Sequence, residues 1–207
     1  MWHEFDPQRT YVASGDVGEG GGGDYSVLYV WDITDLRNIT MCLKFESNKI
    51  SLTEFAYVTT KILALYNNPY YICEKNGVGS GYIDSLRITY NYQKIVQEAK
   101  NNEFGVFSHV SVKSKSCLWT RDMMTTDGFG FKIYDKDLID EFSTFVKKET
   151  KGAYLSYTAL AGAHDDHIMA FIWLCYILQS EIIERYYLVC ETFQSSLGNI
   201  YPRTIQP

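Results

Sequence analysis

Residues 167–189 form a run that is apolar almost all round and is opened by the acidic pair Asp165-Asp166. A helix with no polar face has to be buried on every side. The run therefore predicts a well-buried helix with two carboxylates at its N-terminus. No stretch reaches the uninterrupted apolar length of a membrane span, and the opening Met-Trp-His-Glu-Phe-Asp lacks the basic and apolar regions of a signal peptide. A soluble, intracellular chain with no membrane contact is expected.

The rest of the chain reads as a mixture of strands and helices. Residues 10–15, 25–33 and 40–45 alternate as strands do, the first two joined by Asp16-Val-Gly-Glu-Gly-Gly-Gly-Gly-Asp24. They predict an opening antiparallel meander. Ser51-Leu-Thr-Glu54 has the spacing of a capping box, and Phe55, Val58, Ile62 and Leu65 recur at helical intervals until Asn67-Asn68-Pro69. The short apolar run 70–73 reads as a buried strand ending directly at Glu74. Further on, 83–88 reads as a short helix, 90–96 and 129–133 as strands, 135–148 as a helix closed by a Lys-Lys pair, and 153–158 as a strand. The order predicts an α/β fold, a mixed sheet with helices on its faces.

At 207 residues, 46% of them apolar, the chain is expected to form one domain over residues 1–207, with a loose tail at 190–207. Cys42, Cys73, Cys117, Cys175 and Cys190 lie in apolar runs without a Cys-x-x-Cys, which suits buried free thiols. The net charge of −6 counts only weakly against a nucleic-acid partner. A carboxylate cluster that recruits divalent ions lowers the formal charge while presenting a cationic site to phosphate.

Three acidic positions stand at element ends: Asp16, Glu74 and the pair Asp165-Asp166. Cleavage of a phosphodiester by two divalent ions needs hard oxygen ligands, for which carboxylates suit Mg²⁺ or Mn²⁺. Taken singly, an Asp after a strand is usually a turn residue and an Asp before a helix an N-cap. Glu74 is the strongest indicator, because an acid abutting Tyr-Tyr-Ile-Cys is costly unless it is paired or binds metal. His164 and His167 flank the Asp pair without a Cys or third His nearby, which argues against zinc. Lys113, Lys115 and Arg121 form a basic group suited either to a DNA backbone or to a solvated face.

Three motifs together carry a resemblance: Gly15-Asp16-Val-Gly-Glu-Gly-Gly-Gly-Gly-Asp24-Tyr-Ser-Val, Ile72-Cys-Glu74-Lys-Asn76-Gly77-Val-Gly79, and Gly162-Ala-His164-Asp165-Asp166-His-Ile-Met-Ala170. Over nearly its whole length the chain resembles the C-terminal nuclease domain of the large terminase subunit, the DNA-packaging motor protein of tailed bacteriophages. The resemblance implies a ribonuclease H-like fold and a Mg²⁺-dependent cut in concatemeric viral double-stranded DNA at the start and end of packaging, with Mn²⁺ able to substitute. It implies Asp16, Glu74 and one or both of Asp165 and Asp166 as metal ligands, and supporting roles for Asp24 and His164. Glu19 stands as a loop charge near them. The implied partners are the portal, the small terminase subunit and the protein's own ATPase half, in the host cytoplasm. The phosphate-binding Gly-x-x-x-x-Gly-Lys-Ser/Thr run of an ATPase is absent from these residues. A Holliday-junction resolvase or transposase-like nuclease, and a non-catalytic DNA-binding or portal-docking module, are the alternative readings.

Overall fold

The computed structural model describes residues 1–98, 102–148 and 155–179. Strands β1 (Tyr11–Asp16), β2 (Ser26–Asp32) and β3 (Ile39–Ser47) pair as the antiparallel meander their alternation predicts. Strand β4 (Tyr70–Cys73) adds beside β1 in parallel, and the two-residue β5 (Phe131–Lys132) adds beside β3, also in parallel. The resulting order is β4-β1-β2-β3-β5, which puts β1 in the interior of the sheet.

The composition of β1 looks too polar for an interior strand, and its contacts explain it. Ser14 is fully buried and its hydroxyl accepts a hydrogen bond from Trp31 Nε1 at 3.1 Å. Gly15 is needed because a Cβ there would lie 2.8 Å from the Val27 carbonyl oxygen and 2.4 Å from the Tyr71 hydroxyl. The strand meets its neighbours by close approach and a paired hydroxyl instead of by apolar bulk.

Alternate residues of the sheet feed two cores. Val12, Val27, Tyr29, Trp31 and Ile72 face one way, toward α3 (Val110–Thr125), α4 (Lys136–Thr144) and α5 (Asp166–Gln179). Ala13, Leu28, Val30, Tyr71 and Cys73 face the other way, toward α1 (Leu52–Leu65) and α2 (Gly79–Asp84). Helix α1 starts with the predicted capping box, Ser51 accepting from Glu54 N–H while the Glu54 side chain returns to Ser51 N–H. It ends before Asn67 and Asn68, both at positive φ, a conformation asparagine tolerates better than most residues.

Several elements differ from the sequence expectation. The predicted helix 135–148 stops at Thr144, because Phe145–Lys148 turn into strand β6, which pairs with β7 (Ser156–Ala159) as a separate hairpin. Residues 83–88 divide between the end of α2 and a π-turn, Ser85–Thr89. Residues 90–96 make a single bridge from Ile95 to Tyr71 instead of a strand, after Asn91 takes a positive φ. The expected strand 129–133 contracts to β5. Residues 153–154 of the last predicted strand, the continuation of α5 toward 189 and the tail 190–207 lie outside the described residues. Cys42, Cys73, Cys117 and Cys175 are buried and free. Among the described residues no helix is long and apolar enough to cross a membrane.

Helix α5 is buried at nearly every position from Asp166 to Leu178, as the apolar run demands. Phe171 sits at its centre, edge-on to the rings of Phe131 and Phe142 and tilted against Trp31. Phe171→Ala should cost about 3–5 kcal/mol of stability in urea unfolding, the range for truncating a packed core aromatic. A loss below about 1 kcal/mol would contradict this packing.

Candidate active site

The register of β1 and β4 brings the first two acids together. Gly15 is paired with Cys73 in parallel, so Asp16 and Glu74 are the next residues along neighbouring strands. Adjacent strands lie about 4.8 Å apart. The pleat decides their direction: Asp16 is four residues beyond Val12 and Glu74 two beyond Ile72, so both lie on the face covered by α5 and α3. Helix α5 begins on that face with Asp165 and Asp166, and α3 contributes Lys113.

The loop after Glu74 has a structural task visible in its motif. The Asn76 side chain donates to Ser108 O at 2.8 Å and accepts from Ser108 N–H at 3.0 Å, tying the exit of β4 to the entry of α3. Gly79 packs so tightly that a Cβ there would stand 2.2 Å from the Glu74 carbonyl oxygen. The Glu-Lys-Asn-Gly-Val-Gly sequence therefore sets the backbone of Glu74 and delivers Lys113 to it.

Burial and mutual repulsion dominate the electrostatics. Burial pushes the Asp16 carboxyl well above the usual aspartate range; the charges of Glu74, Asp166 and Asp165 push it the same way, and Lys113 opposes them. Glu74 is raised by burial and by Asp165, again against Lys113. Asp166 is pushed up to about 6 by burial, against a hydrogen bond that its Oδ2 accepts from Tyr25 N–H at 2.9 Å. Lys113 Nζ stands 3.5 Å from Asp165 Oδ2. Among the described residues Lys113 and, at Asp166, His164 Nδ1 at 3.6 Å face these four carboxylates, and a hard divalent cation is the partner such a set favours.

Asp24 and His164, expected in supporting roles, lie beside Asp166. Ligand atoms of Asp24, His164 and Asp166 all lie within 4.8 Å of one another. The Tyr25 ring packs edge-on to His164 at 5.6 Å. Glu19 is exposed on the glycine loop.

A second group, Glu46, Asp137 and His167, has the same proximity but is already supplied with cations. Lys44 Nζ lies 2.7 Å from Asp137, 2.6 Å from Asp135 and 3.1 Å from Glu46. His167 lies with Nδ1 2.7 Å from Glu141 and Nε2 2.6 Å from Glu46. Burial pulls the His167 pKa down, but these hydrogen bonds outweigh it and raise it to about 9. The sequence gives no sign of these partners, since they come from β3 and α4.

The three basic residues of α3 do not share one face. Successive helix residues are about 100° apart, so Lys113 and Lys115 diverge. Lys113 meets the acids, Lys115 lies over the Trp119 ring at 4.2 Å, and Arg121 pairs with Asp122 at 2.8 Å.

No family model matches the chain. Solved structures do match it. The crystal structure of the large terminase nuclease from thermophilic phage G20c superposes with a TM-score of 0.68 at 19% identity, over 86% of this chain and 87% of that one. The same nuclease with bound magnesium gives 0.67 at 17% identity, over 84% of each chain. A mutant fragment of the large terminase subunit of bacteriophage Sf6 with calcium gives 0.58 at 14%, over 84% of this chain and 89% of that one. The fold is thus the ribonuclease H-like mixed sheet flanked by helices that these nuclease domains share.

The raised Asp166 pKa fixes the sign of one pH effect. The folded state holds this proton more tightly than an unfolded aspartate near 3.8, so the contribution of Asp166 to the stability of the metal-free protein should fall as pH rises from about 4 to about 6. Asp166→Asn should flatten that fall in urea melts. An unaltered slope would contradict the burial and crowding described here.

Proposed function

We propose that this chain is a metal-dependent DNA endonuclease domain of the large-terminase type. The observation that carries the reading is the convergence of Asp16, Glu74, Asp165 and Asp166 from two strand ends and one helix N-terminus onto a single face, with Lys113 among them. Likeness to nuclease structures holding magnesium or calcium supports it. The donor set is all carboxylate at its centre, which fits Mg²⁺ or Mn²⁺, and Asp24 and His164 stand at the margin of Asp166. When bound, the ions supply an activated water and neutralise the leaving oxygen. The chain's own contribution is to hold these carboxylates ready: Asp166 is buried, Asp16, Glu74 and Asp165 are half-buried, and the Tyr25 N–H fixes one oxygen of Asp166.

In this reading residues 1–207 form a single nuclease domain. Its substrate is concatemeric viral double-stranded DNA, cut at initiation and termination of packaging in the host cytoplasm. The portal, the small terminase subunit and an ATPase half of the same protein are its partners. Lys113, closest to the acids, would meet the phosphate beside the cut, with Lys115 and Arg121 farther along α3.

Purified protein should nick plasmid DNA in Mg²⁺ or Mn²⁺ and be silent in EDTA. Asp16→Ala and Glu74→Ala should each lower the rate by roughly 10²–10³ or more, the scale of losing a group that stabilises the transition state, while circular dichroism shows the fold retained. Undiminished cutting by both variants would refute the assignment.

A further inference from the structure

The N-terminus of α5 is capped from outside, and the consequence falls on Asp165. Its carbonyl accepts from Met169 N–H at 2.8 Å, the first bond of the helix, which makes Asp165 the N-cap residue. An aspartate there ordinarily turns its carboxylate back to accept from the N–H two or three residues on. The second of those donors, Ile168 N–H, instead donates to Glu141 Oε2 at 2.8 Å, across from α4. The other Glu141 oxygen lies 2.7 Å from His167 Nδ1, and His167 Nε2 lies 2.6 Å from Glu46 on β3. Among the described residues no hydrogen bond from the α5 backbone reaches the Asp165 carboxylate, whose ionic partner is Lys113 at 3.5 Å.

Glu141 is itself buried, at 8% exposure. Burial of a carboxylate is costly unless its oxygens are satisfied, and both are satisfied by the first turn of α5. The brace therefore spans three elements, β3 through Glu46, α5 through His167 and Ile168, and α4 through Glu141. It fixes the helix end in position and about its axis at the point where the two acids project.

We propose that Glu141 is a positioning residue that takes over the capping of α5 and thereby releases the Asp165 carboxylate to face Asp16, Glu74 and a divalent ion. The inference rests on the metal-centre reading above and goes beyond it by giving one residue outside the acid cluster control over the cluster's geometry. Removal of Glu141 leaves Ile168 N–H without its acceptor, and the N-cap position makes the Asp165 carboxylate the replacement, turned away from the ion.

The test is calorimetric titration of Mn²⁺ into the whole chain without DNA. Glu141→Ala should weaken binding roughly 10–100-fold, the usual scale for losing a group that orients a metal ligand. Glu141→Gln, whose amide oxygen still accepts from Ile168 N–H, should recover most of that loss. Wild-type affinity in Glu141→Ala overturns the inference, and so does a Gln variant as weak as the Ala variant, which would assign the effect to charge. Absence of Mn²⁺ binding by the unaltered protein overturns the metal-centre reading itself, and the inference with it. Should Glu141→Ala fail to fold, thermal melting of metal-free Asp165→Ala decides. A Tm unchanged or raised shows that Asp165 does not cap its own helix, whereas a fall of about 2–4 °C, the scale of a lost self-cap in a chain of this size, overturns the proposal.

Discussion

The parallel pairing of β1 with β4 is the constraint on which the rest depends. Once Gly15 lies opposite Cys73, the pleat sends Asp16 and Glu74 to the same face, and the closeness of Gly15 to Tyr71 and Val27 leaves little freedom to shift the register. That face is the one α5 covers, because Val12, Ile72 and Trp31 build its core with Phe171 and its neighbours. The apolar helix is thus both the centre of the fold and the carrier of the remaining acids.

The acids are held at a cost to stability, which is the usual mark of a site kept for chemistry. Burial and repulsion raise Asp16, Glu74 and Asp166 together. The neighbouring cluster around Glu46, Asp135, Asp137 and Glu141 shows what the same chain does with acids that serve structure, since Lys44 and His167 lie within hydrogen-bonding distance of them. Both clusters meet the first turn of α5, one through Asp166 and the other through His167. The His167 cluster is closed by side-chain cations, and the Asp166 cluster is the one proposed to take an ion from solution.

Much of this was legible in the residues. The meander, the Ser51 capping box and the four-residue strand ending at Glu74 follow from alternation and cap spacing, and the all-round apolarity of 167–179 marks a buried helix. The β6 hairpin was not legible, because Phe142, Phe145 and Val146 continue a helical period and only pairing with Ala159 and Thr158 converts Phe145–Lys148 into a strand. The place of Lys113 was hidden for another reason: its acidic neighbour Asp165 is 52 residues away, and no local pattern links them. Glu141 reads as an ordinary helix acid until α4 is packed on α5. Asp165 does stand at the N-cap position that an Asp before a helix usually takes, but the Ile168 N–H that its side chain would cap donates to Glu141 from another element.

Anomalous scattering from crystals soaked in Mn²⁺ tests the proposed metal centre most directly. The arrangement calls for manganese peaks bounded by Asp16, Glu74 and the Asp165-Asp166 pair, with the oxygen of Asp166 still held by Tyr25 N–H. Crystals with no peak there, or with manganese bound at Glu46, Asp137 and His167 in place of Lys44, would contradict it.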